Sequence, residues 1–269
     1  MLLIWKKSAP ALFILAMVAS PALAESRETL DDALDGYVAQ AAGPGATDWQ
    51  YEGGVGLTYK DGNSEILTLA IVGNAKKVWE KNALKFAFQG IYSRDEGIET
   101  ASEWILVQRY ERTFGKDDKQ RFWQQLWVET DSQEDLALRL RLTAGWGYRL
   151  AKTKDDKFVM WGEIGAGYNT DNFYGGADNN EWVAQVNLDW TWKITKTLTY
   201  RQVIQWIPSI TNSGEYQFFW NSNFSMPINK RFDFILTLQD KYNSAPAAGT
   251  ERNDFTLLFT LNYKFTADE

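Results

Sequence analysis

From Trp49 to Phe265 the chain repeats one pattern: long runs in which apolar and polar residues alternate one by one. Leu136, Leu138, Leu140, Leu142, Ala144, Trp146, Tyr148 and Leu150 alternate with Ala137, Arg139, Arg141, Thr143, Gly145, Gly147 and Arg149. A period of two places successive side chains on opposite faces of a strand, whereas helical spacing would scatter these arginines among the leucines. The same alternation runs through Trp182, Ala184, Val186, Leu188, Trp190 and Trp192 against Gln185, Asn187 and Asp189, and through Phe232, Phe234, Leu236 and Leu238 against Asp233, Thr237 and Gln239. The chain therefore builds an all-β sheet with one apolar and one polar face.

Reading turns between the runs gives twelve strands, near 49–60, 65–76, 82–93, 103–114, 121–130, 136–150, 157–170, 181–194, 197–208, 215–227, 231–242 and 253–265. An even count of strands, most of them longer than the roughly 9 to 11 residues that cross a hydrocarbon layer at a tilt, fits a transmembrane antiparallel up-and-down β-barrel. The runs at 103–114 and 121–130 alternate poorly, Ile105 and Val107 standing beside Trp104 and Leu106, so a ten-strand count stays open. Asp61-Gly62 is a hairpin signal, both residues tolerating positive φ. With the N-terminus in the periplasm, the longer connections fall outside the cell and the shorter ones inside.

Alternation alone does not say whether the apolar face meets lipid or a core. A twelve-stranded barrel has a backbone radius of roughly 12 Å, too wide for an apolar core to fill. A two-sheet sandwich would bury the apolar face, but it gives no reason for aromatics at both strand ends. Aromatics are 15% of residues, with 13 Trp, although the mean hydropathy is negative. That combination suits a barrel in which only alternate residues face lipid and rings gather at the interfaces. Trp49, Trp123, Trp146, Trp190, Trp192, Tyr263 and Phe265 are read as a periplasmic girdle, and Trp104, Trp182 and Trp206 as part of an outer one.

The start of the chain reads as a secretory signal peptide: Lys6 and Lys7, an apolar run from Ala9 to Ala19, then Ser20-Pro21-Ala22-Leu23-Ala24, with cleavage after Ala24. The apolar run is well short of the roughly 20 residues of a membrane helix. Residues 25–48 form a periplasmic leader in which Leu30, Leu34, Tyr37, Val38 and Ala41 fall at helical spacing before Gly43-Pro44-Gly45 ends the pattern; residues 266–269 are a C-terminal tail. The expected location is the bacterial outer membrane of a Gram-negative envelope.

The chain has no Cys and no His, so disulfides, lipidated cysteine, Cys or Ser-His nucleophilic catalysis and His-ligated metals are unavailable. A net charge of -7 argues against nucleic acid. No enzymatic role and no cofactor is expected, and the acidic loops read as solvated surface, not as metal sites. The candidate pore-lining set is Lys85, Arg139, Arg141, Arg149, Glu163, Asp189, Arg201 and Asp233, charges of both signs on the polar face. Such charges either tune a narrow pore for small solutes or ions, or pair across the lumen and plug it. The expected partners are outer-membrane lipid and lipopolysaccharide, with the barrel assembly machinery during biogenesis.

Three stretches, Trp49 to Gly53 with Gly56-Leu57-Thr58 and Gly62-Asn63-Ser64, Asp135-Leu136-Ala137-Leu138-Arg139 to Gly145-Trp146-Gly147-Tyr148, and Asp254-Phe255 to Tyr263-Lys264-Phe265, together resemble the YdiY-like salt-induced outer-membrane protein family. The resemblance spans residues 49–265 and implies an outer-membrane barrel linked to salt stress, of the porin-like channel kind or a closed structural one. It brings no catalytic or ligand residues. Barrel chains commonly end on the aromatic, whereas here Phe265 is followed by Thr266 to Glu269.

Overall fold

A computed structural model describes residues 49–61, 66–95, 98–176, 178–229, 231–247 and 249–265. The expected signal peptide, the leader at 25–48, the Gly62 half of the first hairpin turn and the tail at 266–269 lie outside the described residues. The strands are β1 (Trp49–Asp61), β2 (Ile66–Trp79), β3 (Asn82–Asp95), β4 (Ile98–Phe114), β5 (Gln120–Asp131), β6 (Leu136–Lys152), β7 (Phe158–Phe173), β8 (Asn179–Lys193), β9 (Thr199–Pro208), β10 (Tyr216–Pro227), β11 (Phe232–Asn243) and β12 (Asn253–Phe265). Each pairs antiparallel with the next, and β12 returns to β1, from Tyr51↔Phe265 to Asp61↔Phe255, closing the ring. Closure leaves no sheet edge, which is what permits a β-structure to sit in hydrocarbon.

The polar and apolar faces sort as the alternation requires. Leu142, Ile164, Trp182 and Trp206 stand exposed on the outside, while Arg139, Arg141, Glu163, Asn187 and Asp189 are buried within the ring. An outer apolar belt of this extent cannot face water, and the polar side cannot face lipid, so the barrel is a membrane barrel and not a soluble sandwich.

Twelve strands, and not ten, form because β4 and β5 are regular strands despite their composition. Trp104, Leu106, Phe122 and Leu126 point out, while Ile105, Val107, Trp123 and Trp127 point in. Apolar side chains on both faces hid the period. The interface assignment of Trp123 is therefore corrected: its indole is fully buried in the lumen. It fits there because Gly165 of β7 has no Cβ, which would come within 2.6 Å of the indole. Gly147 similarly clears Arg121 and Glu163.

The two ends of the barrel differ. Both chain ends of the sheet lie at the end closed by short connections, such as the two-residue turn at Glu80-Lys81, where Glu80 takes a φ of 50°. The opposite end carries residues 174–176, 178, 209–215, 244–247 and 249–252. The ends are called here the turn end and the loop end.

Candidate functional site

The lumen is occupied by two tiers of charge. The tier toward the turn end begins at Lys85 on β3, whose Nζ donates to Glu111 Oε2 at 3.0 Å. Arg109 on β4 donates its Nε to Glu111 Oε1 at 2.7 Å and its Nη2 to both oxygens of Glu163 on β7, at 2.7 and 3.0 Å. Arg121 on β5 donates its Nε to Glu163 Oε1 at 2.5 Å and its Nη2 to Asp189 Oδ2 on β8 at 2.9 Å. Asn187 Nδ2 completes the shell of Glu163 at 2.8 Å. The guanidinium carbons of Arg109 and Arg121 lie 4.9 and 4.3 Å from the ring centroids of Trp123 and Trp161. One connected network thus runs from β3 to β8, with indoles filling the space beside it.

The second tier lies toward the loop end. Arg139 on β6 grips Asp171 of β7 with Nε and Nη2, at 2.8 and 3.1 Å, and donates Nη1 to Glu129 of β5 at 2.8 Å. Lys241 on β11 reaches Glu103 Oε1 of β4 at 2.8 Å and Glu129 Oε1 at 3.1 Å. Strands β5 and β11 are six places apart in a ring of twelve, so this ammonium joins opposite walls. Between the tiers the Trp127 ring of β5 meets Phe219 of β10 edge-on at 6.2 Å. Arg141 spans from β6 to Gln217 Oε1 of β10 at 2.7 Å, with its guanidinium 5.3 Å from the Trp127 ring centroid.

The sequence-derived set divides accordingly. Lys85, Glu163 and Asp189 belong to the turn-end tier and Arg139 to the loop-end tier, with Arg141 between them. Arg149 turns aside to the backbone oxygen of Asp117, at 2.6 Å, at the turn-end rim. Arg201 and Asp233 occupy inward positions on β9 and β11 outside these two networks. Arg109, Glu111, Arg121, Glu129, Asp171 and Lys241 carry much of the pairing and were not in the set. Four of them lie on β4 and β5, where inward Ile105, Val107, Trp123 and Trp127 spoiled the alternation. Counting parity outward from Trp104 and Phe122 would have found them.

Of the expected interface aromatics, Trp104, Trp146, Trp182, Trp192 and Trp206 are exposed on the outer face, and Trp49, Trp190 and Tyr263 are half-buried. The side chain of Phe265 lies outside the described residues.

Above the loop-end tier, Glu134 in the β5–β6 loop stands 3.7 Å from Lys241. Burial, reinforced by Glu129 and Asp131, outweighs that ammonium and pushes its carboxyl up to about 7. Beyond it, the loop-end mouth opens into a cavity of about 450 Å³ lined by residues of β7 to β11 and their loops, with Asp135 of the β5–β6 loop. Among the described residues no group of three or more acidic side chains converges as a metal site.

A family model described as "Protein of unknown function, DUF481" matches residues 53–265. No curated protein matches. Among solved structures, the NanC porin superposes with a TM-score of 0.55 at 7% identity, covering 81% of this chain and all of that one. The KdgM porin follows at a TM-score of 0.45 and 7% identity, with 81% and 100% coverage. The outer-membrane channel DcaP of Acinetobacter baumannii gives 0.45 and 9%, with 81% and 96% coverage. At such identities the NanC likeness shows a shared fold, that of an outer-membrane porin barrel.

Proposed function

The chain belongs to the DUF481 family, and from that premise we propose that it is an outer-membrane barrel held shut at rest by its own lumen side chains, a gated conduit for small solutes or ions. The observation that carries this reading is the bridging of opposite walls, Lys241 to Glu103 and Glu129, and Trp127 to Phe219. The nature of the stopper supports a gate over a structural filling. Burying ion pairs gains little stability, and an apolar filling of the same volume is often neutral or better by about 1–4 kcal/mol. A lumen that only had to be solid would not need Arg109, Glu163, Arg121 and Asp189. A lumen that opens to water needs groups that tolerate both states.

The salt association implied by the YdiY-like resemblance suits a conduit kept closed until osmotic stress, and buried pairs are shielded from screening by bulk salt. Export by the signal peptide, assembly by the barrel machinery and contact with lipopolysaccharide complete the proposal. The competing reading is a closed barrel that stiffens the envelope, favoured by the full burial of Trp123. Planar-bilayer recording separates them. The wild type is expected to be silent or to flicker briefly, and a barrel with both tiers cleared, Arg109→Ala and Arg121→Ala together with Lys241→Ala and Trp127→Ala, is expected to conduct in steps. Silence of that variant, with its barrel circular dichroism intact, would leave the structural reading.

A further inference from the structure

The cavity at the loop-end mouth is lined by four carboxylates, Asp135, Asp171, Glu181 and Glu215, and by no lysine or arginine among the described residues. Asp171 is neutralised from behind by both arms of Arg139. Glu181, Asp135 and Glu215 have no ion-pair partner among the described residues. Glu181 is the unusual one. It points into the ring from β8, is only 7% exposed, and its Oε2 has no hydrogen-bond partner. Its Oε1 has only Asn169 Nδ2, at 3.5 Å. The nearby guanidinium of Arg141 donates to Gln217 instead. A buried carboxylate with one long hydrogen bond and one oxygen without a donor loses hydration and gets little in return, unless a cation supplies what the protein does not.

The shape of the cavity indicates which cation. The carboxylates do not converge closely enough to hold a metal ion. The cavity of about 450 Å³ lies in the range of roughly 300–1,000 Å³ that suits an organic ligand. The same lining carries apolar Phe173, Ile207, Pro246 and Ala247, with Asn179 and Asn212 as neutral polar groups. Negative charges that do not converge, set in a partly apolar lining, complement separated ammonium groups on an aliphatic chain. Each ammonium brings three donors and no acceptor. We propose that the mouth binds a linear polyamine, one ammonium seated on Glu181 and another on the Glu215 side. This binding requires no conduction through the barrel.

The experiment uses the full refolded barrel in lipopolysaccharide-free detergent and titrates spermidine by calorimetry. The expected result is saturable one-to-one binding that weakens at least about tenfold in Glu181→Gln, the loss of one charge-assisted contact. Removing an unpaired buried charge should leave Glu181→Gln folded and no less stable than the wild type. Glu215→Gln, in a surface loop, supplies a second variant with the same expected direction. Spermidine should raise the unfolding midpoint of the wild type more than that of Glu181→Gln at the same concentration. Magnesium chloride at equal charge concentration should fail to displace it. Equal displacement by magnesium, binding indifferent to Glu181→Gln, or no binding at millimolar spermidine would each overturn the proposal.

Discussion

Replacing Glu163 with glutamine keeps the side-chain shape and removes one charge from the centre of the turn-end tier. Four donor contacts converge on this carboxylate, two from Arg109 Nη2, one from Arg121 Nε and one from Asn187. A glutamine offers one acceptor oxygen and turns an NH2 toward donors that have nowhere else to go. Two guanidinium groups then stay buried, with only Glu111 and Asp189 to balance them. Breaking a buried ion pair from one side costs about 3–5 kcal/mol. With a urea dependence of about 1–3 kcal/mol per molar, the unfolding midpoint should fall by about 1–5 M. The assay is urea unfolding of the barrel in lipid vesicles, followed by tryptophan fluorescence. Asp118→Asn is the control: it breaks the 2.7 Å pair to Lys81 at the surface, where the loss should be under about 1 kcal/mol. Adding Arg121→Met to Glu163→Gln should recover part of the loss by removing the stranded charge. A Glu163→Gln barrel no less stable than Asp118→Asn would refute the view that Glu163 ties the walls together.

Leu142 is exposed on the outer face, so Leu142→Arg should destabilise the vesicle-embedded barrel by about 2–4 kcal/mol if it lies at mid-membrane; an effect below about 1 kcal/mol would place it outside the hydrocarbon. Gly165→Val thrusts side-chain atoms into the Trp123 indole and should lower the unfolding midpoint, and Trp123→Ala in the same background should restore part of it. Glu134 is held near 7 by burial, above its ordinary value, so the folded barrel binds this proton more tightly than the unfolded chain does. Stability should therefore fall as pH rises from about 4.5 to about 7, with a shallower fall in Glu134→Gln; urea midpoints across that range check the sign. In an opened variant, Arg139→Glu with Arg141→Glu should shift reversal potentials toward cation selectivity.

Much of the fold was legible because a barrel wall obeys a single local rule. β6 from Leu138 to Tyr148 and β8 from Ala184 to Trp192 alternate cleanly, whereas bulges at Leu136/Leu138 and Arg149/Ala151 shift the β6 register and bury Leu136. β4 and β5 resisted because the lumen contains Ile105, Val107, Trp123 and Trp127. A lumen is read as polar only when water fills it, and here indoles pack under guanidinium groups. The pairing itself was not legible. Arg139 and Asp171 are cross-strand neighbours that register alone would bring together, whereas Lys241 and Glu129 meet only because closure sets β11 opposite β5. The same holds for Glu181, whose burial with one carboxylate oxygen unpartnered appears only in the fold.

The absence of cysteine from the chain makes one measurement decisive for the closed lumen: thiol labelling of single-cysteine barrels in sealed vesicles. Ser209→Cys sits at the loop-end cavity, and Thr143→Cys sits fully buried on the β6 wall between the two tiers. Charged thiol reagents should label Ser209→Cys rapidly from the loop side and leave Thr143→Cys unreacted from either side, until Arg109→Ala and Arg121→Ala are added. Equal labelling of both cysteines in the otherwise wild-type barrel would contradict a lumen closed by its own side chains.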